Sequence, residues 1–159
     1  MKFRSSHLCK VDKTCSGASM TAANFFKITG VIDRYKMKRQ LTINSEPIDE
    51  AALLAQRQMS SGMGAAVYFL GAVREAEGAD KISAINYESF QKMAEHQFHL
   101  LFDEMEKRWP IESVRLVHRL GIVKVNELSL WVEIIAPHRG ETFAACQWLI
   151  DEMKRVVPI

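Results

Sequence analysis

Long apolar runs are missing from this chain: no stretch approaches the ~18 consecutive apolar residues that a membrane-spanning helix needs. Cysteine is scarce, with Cys9, Cys15 and Cys146 odd in number among 159 residues. That argues against a disulfide-stapled secreted scaffold. The spacing of Cys9 and Cys15 is not that of a zinc or redox motif, so no metal site is expected. A secretory signal fits poorly, because the N-terminus lacks an apolar core segment of the usual length. The familiar catalytic signatures are absent too: no G-x-S-x-G, no P-loop, no H-E-x-x-H and no dinucleotide fingerprint. The five histidines are scattered, and none pairs with Cys or a carboxylate at metal-ligand spacing. Internal repeats and low-complexity tracts are also lacking.

What is present is the composition of a soluble globular protein, 48% hydrophobic and 25% charged. The length suits one domain with a real core. The net charge of +2 hides an asymmetry: residues 1–36 carry seven Lys/Arg against two Asp/Glu, and residues 37–159 carry fourteen against seventeen. The main part is therefore no nucleic-acid binder by charge, and any cationic site it holds is a local cluster. Residues 1–36 show no clean periodicity. They read either as an N-terminal extension to a domain that starts at Met37, or as a basic, Ser/Thr-containing transit segment.

From Met37 the pattern sharpens. Leu41-Thr42-Ile43 reads as a strand, and Asp49 caps a helix through Leu53 and Leu54 that ends near Gly62. Ala65 to Val73 is a nearly continuous apolar run, expected as a buried strand. Arg74 to Gly78 reads as a charged loop, and Ile82 to Tyr87 as a strand. Ala94, Phe98, Leu101, Phe102, Met105 and Trp109 form one face of a helix that Pro110 stops. Strands follow at Val114–His118, Ile122–Val125 and Leu128–Ile135, and Phe143, Cys146, Leu149, Ile150 and Met153 mark a last helix. Cys146 is expected as a small buried hydrophobe on that stripe. Short turns between neighbouring strands imply antiparallel pairing. The fold class is α+β, with helices on a mixed or antiparallel sheet.

Four cationic side chains stand at element ends. An apolar strand delivers Arg74 to a loop, where it is either a ligand contact or a surface arginine paired with Glu75 or Glu77. His138 and Arg139 open the last helix, where backbone N–H groups and the dipole favour an anion; a polar connecting loop is the plainer reading. Lys154 closes that helix, where a cation offsets the dipole whether or not its amine does chemistry. His96 and His99 flank an exposed helix face, and His118-Arg119 ends a strand with structural and functional readings both open. The residues alone reach an anion-binding α+β domain.

Six ordered stretches go further: Phe69-Leu70-Gly71-Ala72-Val73-Arg74, Ile85-Asn86-Tyr87-Glu88, Arg108-Trp109-Pro110, Val117-His118-Arg119-Leu120-Gly121, Pro137-His138-Arg139 and Ile150 through Ile159. Together they resemble the catalytic (large) subunit of molybdopterin synthase, in order from about Leu41 onward. The resemblance implies an α/β hammerhead-like domain with an added antiparallel β subdomain. It also implies a cytoplasmic homodimer within a heterotetramer, each large subunit binding a small ubiquitin-like sulfur-carrier subunit. The implied reaction makes molybdopterin from cyclic pyranopterin monophosphate, using the carrier's C-terminal thiocarboxylate, and requires no metal or redox cofactor. The matching site positions are Lys154 for catalysis, Arg74, His138 and Arg139 for substrate, and Ala72 and Val73 lining the pocket through backbone.

About fifteen helical residues between Arg139 and Lys154 span roughly 22 Å. A two-fold dimer is therefore expected to supply His138 and Arg139 to the partner's site. Two departures from the family pattern stand out. Glu75-Ala76-Glu77-Gly78 replaces the Asn or His groups usual after Arg74, and the family's further C-terminal Trp-Lys segment, with a second active-site lysine, does not follow Ile159. The second departure raises an alternative expectation, a truncated homologue that dimerises and binds the carrier but turns over poorly.

Overall fold

The computed structural model describes residues 36–78 and 80–159, so the reading of residues 1–36 falls, save for Lys36, outside the described residues. Eight strands and three helices follow in the order β1 (Lys38–Asn44), α1 (Glu50–Ala55), β2 (Ala65–Ala72), β3 (Ala76–Glu77), β4 (Asp80–Lys81), β5 (Ala84–Tyr87), α2 (Gln91–Arg108), β6 (Ser113–Arg119), β7 (Gly121–Lys124), β8 (Leu128–Ala136) and α3 (Arg139–Val156). The main sheet has four strands in the order β1-β6-β8-β2, with β1 parallel to β6 and the other pairs antiparallel. Two small antiparallel ladders, β3–β4 and β5–β7, stand apart from it. The α+β class with a mixed sheet is as the sequence implies.

Apolar periodicity explains the layers. Val114, Leu116, Leu130, Val132 and Ile134 point to one face of the sheet and meet Ala94, Phe98, Phe102 and Met105 of α2 and Ala145, Leu149 and Met153 of α3. Helix α2 lies towards β1, and α3 across β2 and β8. Strand β8 is buried from Ser129 to Ala136, on both faces. Cys146 is buried in this core, and burial pushes its thiol pKa up.

Four local expectations change. The helix capped by Asp49 ends at Ala55 rather than near Gly62; its single capping bond, Ala52 N–H to Asp49 Oδ1 at 3.0 Å, holds a short helix with no buried residue to extend it. Arg74 to Gly78, expected as a charged loop, contains β3, which pairs with β4 beyond Gly78, at φ of 62°. Strand β7 does not pair with its sequence neighbour β6. Gly121, at φ of 76°, swings the chain away to pair with β5. Phe143, assigned to the core stripe of α3, is 62% exposed, because Thr142, Ala145 and Cys146 take the inward positions of that turn.

One charged clamp fastens β1 to α2. Arg39 reaches Asp103 at 2.6 Å and also bonds Glu106, whose other oxygen accepts the Met37 backbone N–H at 2.7 Å. Hydrogen bonding to Arg39 holds the Asp103 carboxyl below its ordinary range, and the Met37 amide, then Arg39, does the same for Glu106. Depressed carboxylate pKa values stabilise the fold above the ordinary carboxylate range, and this contribution is lost as pH falls through the folded values. Chemical denaturation between about pH 7 and pH 3 is therefore expected to show a steeper acid-side loss of stability below about pH 4.5 in the wild type than in Arg39→Met. Equal slopes would remove the clamp from the account.

Candidate active site

Strand β2 ends at a register shift between Gly71 and Ala72, opposite Leu130 and Leu128 of β8. Gly71 suits the close approach there: a Cβ on it would stand 3.1 Å from the Leu130 Cβ. Beyond the shift Val73 is buried and tied to the β7–β8 turn, its N–H donating to the Glu127 carbonyl at 3.1 Å and its carbonyl accepting from Asn126 N–H at 2.9 Å. Arg119 donates to Glu127 Oε2 at 3.0 Å, and the Lys124 amide bonds the same oxygen at 3.1 Å. That amide, followed by the Arg119 charge, keeps the Glu127 carboxyl below its ordinary pKa. Arg119 thus has a structural task, bracing the turn that positions Val73 and Arg74. Sequence reading missed Glu127 and Asn126; Asn126 adopts φ of 68°, a conformation to which Asn is suited.

Arg74 itself is exposed and stands 3.8 Å from Glu77, the surface pairing anticipated as its plainer reading. Both groups are more than 70% exposed, so the pair holds the guanidinium only weakly and leaves it free to exchange partners. Ala72 beside it is exposed.

His138 and Arg139 lie past the other end of β8. His138 is the N-cap residue of α3 in extended conformation, with no side-chain capping bond, and Thr142 Oγ1 donates to the Arg139 carbonyl at 2.9 Å. Both side chains are exposed beside the first-turn N–H groups. Lys154 is exposed in the last turn; Arg155 next to it pairs with Glu152, whereas Lys154 has no carboxylate partner among the described residues.

The register sorts these groups. In the antiparallel β2–β8 pair Ala72 lies opposite Leu128 and Ala65 opposite Ala136. Arg74 and His138 therefore leave the ladder at opposite ends, separated by a nine-residue strand of roughly 30 Å. Helix α3 starts at the His138 end and packs back across β8 and β2. Lys154, about 22 Å along it, returns towards the end where Arg74 emerges. One chain thus presents two cationic groups, Arg74 with Lys154 and His138 with Arg139.

The remaining histidines of the described residues lie elsewhere. His96 and His99 are exposed on α2. His118 is buried with its ring edge-on to Tyr87 at 5.4 Å, and burial lowers its pKa, offset in part by the bond to the Arg119 carbonyl.

Exposed cations at the strand and helix ends of a mixed α+β domain are groups suited to anions. The MoaE protein family profile matches residues 43–156. A molybdopterin synthase catalytic subunit of Pyrococcus abyssi (strain GE5 / Orsay) is 37% identical over 112 residues, covering 70% of this chain and 74% of that protein. One from Staphylococcus carnosus (strain TM300) is 33% identical over 121 residues, 76% and 80% of the two chains. The X-ray crystal structure of molybdopterin synthase from Staphylococcus aureus is similar with a TM-score of 0.67 at 29% identity, covering 74% of this chain and 85% of that one. The chain belongs to the MoaE family, that of the molybdopterin synthase catalytic subunits.

The loop bearing His138 is set by a close contact. Gly64 N–H donates to the Pro137 carbonyl at 3.2 Å, and a Cβ at Gly64 would lie 2.7 Å from that same oxygen. Neither partner is a flexible side chain. Gly64→Ala is expected to lower stability by about 1–3 kcal/mol, the usual cost of forcing atoms into a filled space. Thermal unfolding checks this, and an unchanged midpoint would show that the His138 loop is not held there.

Proposed function

We propose that this chain is the sulfur-transferring subunit of a molybdopterin synthase, converting cyclic pyranopterin monophosphate to molybdopterin with sulfur from a thiocarboxylated ubiquitin-like carrier. The observation that carries the reading is the family match over residues 43–156, which contains all four cationic side chains at strand and helix ends. Substrate phosphate and carrier thiocarboxylate are both anionic, so guanidinium, imidazole and ammonium groups suit them.

In this reading Arg74 and the backbone of Ala72 and Val73 hold the reacting end of the substrate. Arg139 and His138, at a helix N-terminus, bind the phosphate or the carrier tail. The thiocarboxylate sulfur attacks a side-chain carbon esterified to the cyclic phosphate, forming a C–S bond as that carbon's C–O bond breaks, so the phosphate ring opens to a monoester and the carrier is left joined as a thioester. Attack of water on that acyl carbon breaks its bond to sulfur, returning the carrier as a carboxylate and leaving a thiolate on the product. Lys154 takes the proton from that water, or its amine accepts the acyl group before hydrolysis. A second carrier delivers its sulfur to the neighbouring, carbonyl-level carbon, whose oxygen leaves as water, and hydrolysis of that thioester completes the dithiolene.

A substrate of this size does not bridge the two cationic groups of one chain. The reading therefore includes a two-fold homodimer in which one protomer's His138 and Arg139 complete the site around its partner's Arg74 and Lys154. Each small carrier subunit would dock beside one such site, giving a heterotetramer.

Arg139→Ala and Lys154→Ala homodimers are each expected to lose at least about 100-fold in molybdopterin formation. Mixing the two chains under subunit exchange should restore about a quarter of wild-type activity, because half the dimers then hold one intact site of two. Failure of the mixture to recover, with exchange verified, would contradict the shared site. Carrier binding without product from the wild-type chain would favour the carrier-binding alternative.

A further inference from the structure

The segment that carries Arg74 is closed at its root. Val73 forms a parallel bridge with Val125, donates its N–H to the Glu127 carbonyl and accepts from Asn126 N–H. Val125 N–H in turn donates to the Ser83 carbonyl at 3.2 Å. The chain from 74 to 82 therefore leaves and returns at one anchored point. Within it Ile82 N–H donates to the Glu75 carbonyl at 2.7 Å, and Ala76 and Glu77 pair with Lys81 and Asp80. Arg74 opens this hairpin and Glu77 follows three residues on, so the backbone keeps their charged groups within reach, 3.8 Å apart.

Charge gives this contact a direction. The ladder sets Glu77 opposite Asp80, and like charges directly opposite each other destabilise a strand pair. Arg74 is the cation in contact with Glu77, whereas Lys81 lies in register with Ala76. An ion pair between two exposed groups is weak. Tethered across three residues, however, it re-forms as soon as it opens, because neither partner diffuses away.

We propose that Glu77 is a specificity-determining residue, an internal competitor for the anion position on Arg74. The inference rests on the reading of Arg74 as a substrate contact. An anionic ligand takes Arg74 only by displacing Glu77, whose charge is then left facing Asp80. That cost is the same for every ligand. A small anion gripped by Arg74 alone therefore falls to low occupancy, while a ligand that also engages Lys154 and the backbone beside Val73 keeps enough contacts to bind. The empty site is thereby kept from filling with free phosphate or carboxylates.

Steady-state assays of the full chain assembled with thiocarboxylated carrier, with inorganic phosphate as the competing anion, test this. Glu77→Gln is expected to lower both the KM for cyclic pyranopterin monophosphate and the inhibition constant of phosphate by about two- to fivefold, with kcat unchanged. Glu75→Gln makes the same charge change in the same hairpin, at a residue with no ion pair to Arg74 among the described residues. It is expected to move both constants clearly less. Constants unaltered by Glu77→Gln, an equal response to Glu75→Gln, or a fall in kcat would each overturn the proposal. Arg74→Ala separates it from the reading beneath it. Full activity there would remove Arg74 from the site, and this proposal with it; lost activity with no response to Glu77→Gln would remove the role of Glu77 alone.

Discussion

The antiparallel pairing of β2 with β8 is the constraint on which the candidate site depends. It fixes Ala72 opposite Leu128 and Ala65 opposite Ala136, so the chain leaves the two strands at opposite ends of one ladder. Burial on both faces of β8 leaves that register little room to slip, because a one-residue shift would exchange every buried side chain between faces. Helix α3 then carries the chain back across the same two strands. The positions of the four cations follow from this arrangement.

Its consequence is a division of labour within one sequence. The Arg119–Glu127 brace and the amide contacts of Val73 fix the point from which Arg74 projects. The Gly64–Pro137 contact fixes the point from which His138 and Arg139 project. Rigid scaffolding thus ends where exposed cations begin, as a site for mobile anionic partners requires. The proposed dimer would join the two ends, neither of which is a finished pocket in a single chain.

Much of this was legible in the sequence. Apolar periodicity marked α2, α3 and β8 because their patterns repeat over many residues, and the ends of α3 are set by Pro137 before it and Pro158 after it. The cations were found because each closes or opens an element. Less legible was what depends on distant partners. Phe143 has the right spacing for the core, but Thr142, Ala145 and Cys146 take the inward positions of that turn. The pairing of β7 with β5 turns on one glycine conformation, and the Arg115–Glu133 pair on a register linking residues eighteen apart. In the sequence Glu133 is merely one polar residue in an alternating strand; only its cross-strand neighbour Arg115 marks it as a buried, ion-paired carboxylate.

The central claim is that the two ends of α3 act in different sites of one dimer. Cross-linking tests it most directly. Chains with Cys9 and Cys15 replaced by serine, one bearing Arg139→Cys and the other Lys154→Cys, are mixed and treated with a bifunctional thiol reagent shorter than α3 itself. Such a reagent cannot join the two positions within a chain. The account predicts a covalent dimer from the mixture that neither chain forms as readily alone. Its absence, in a sample that is dimeric by sedimentation, would contradict the shared site.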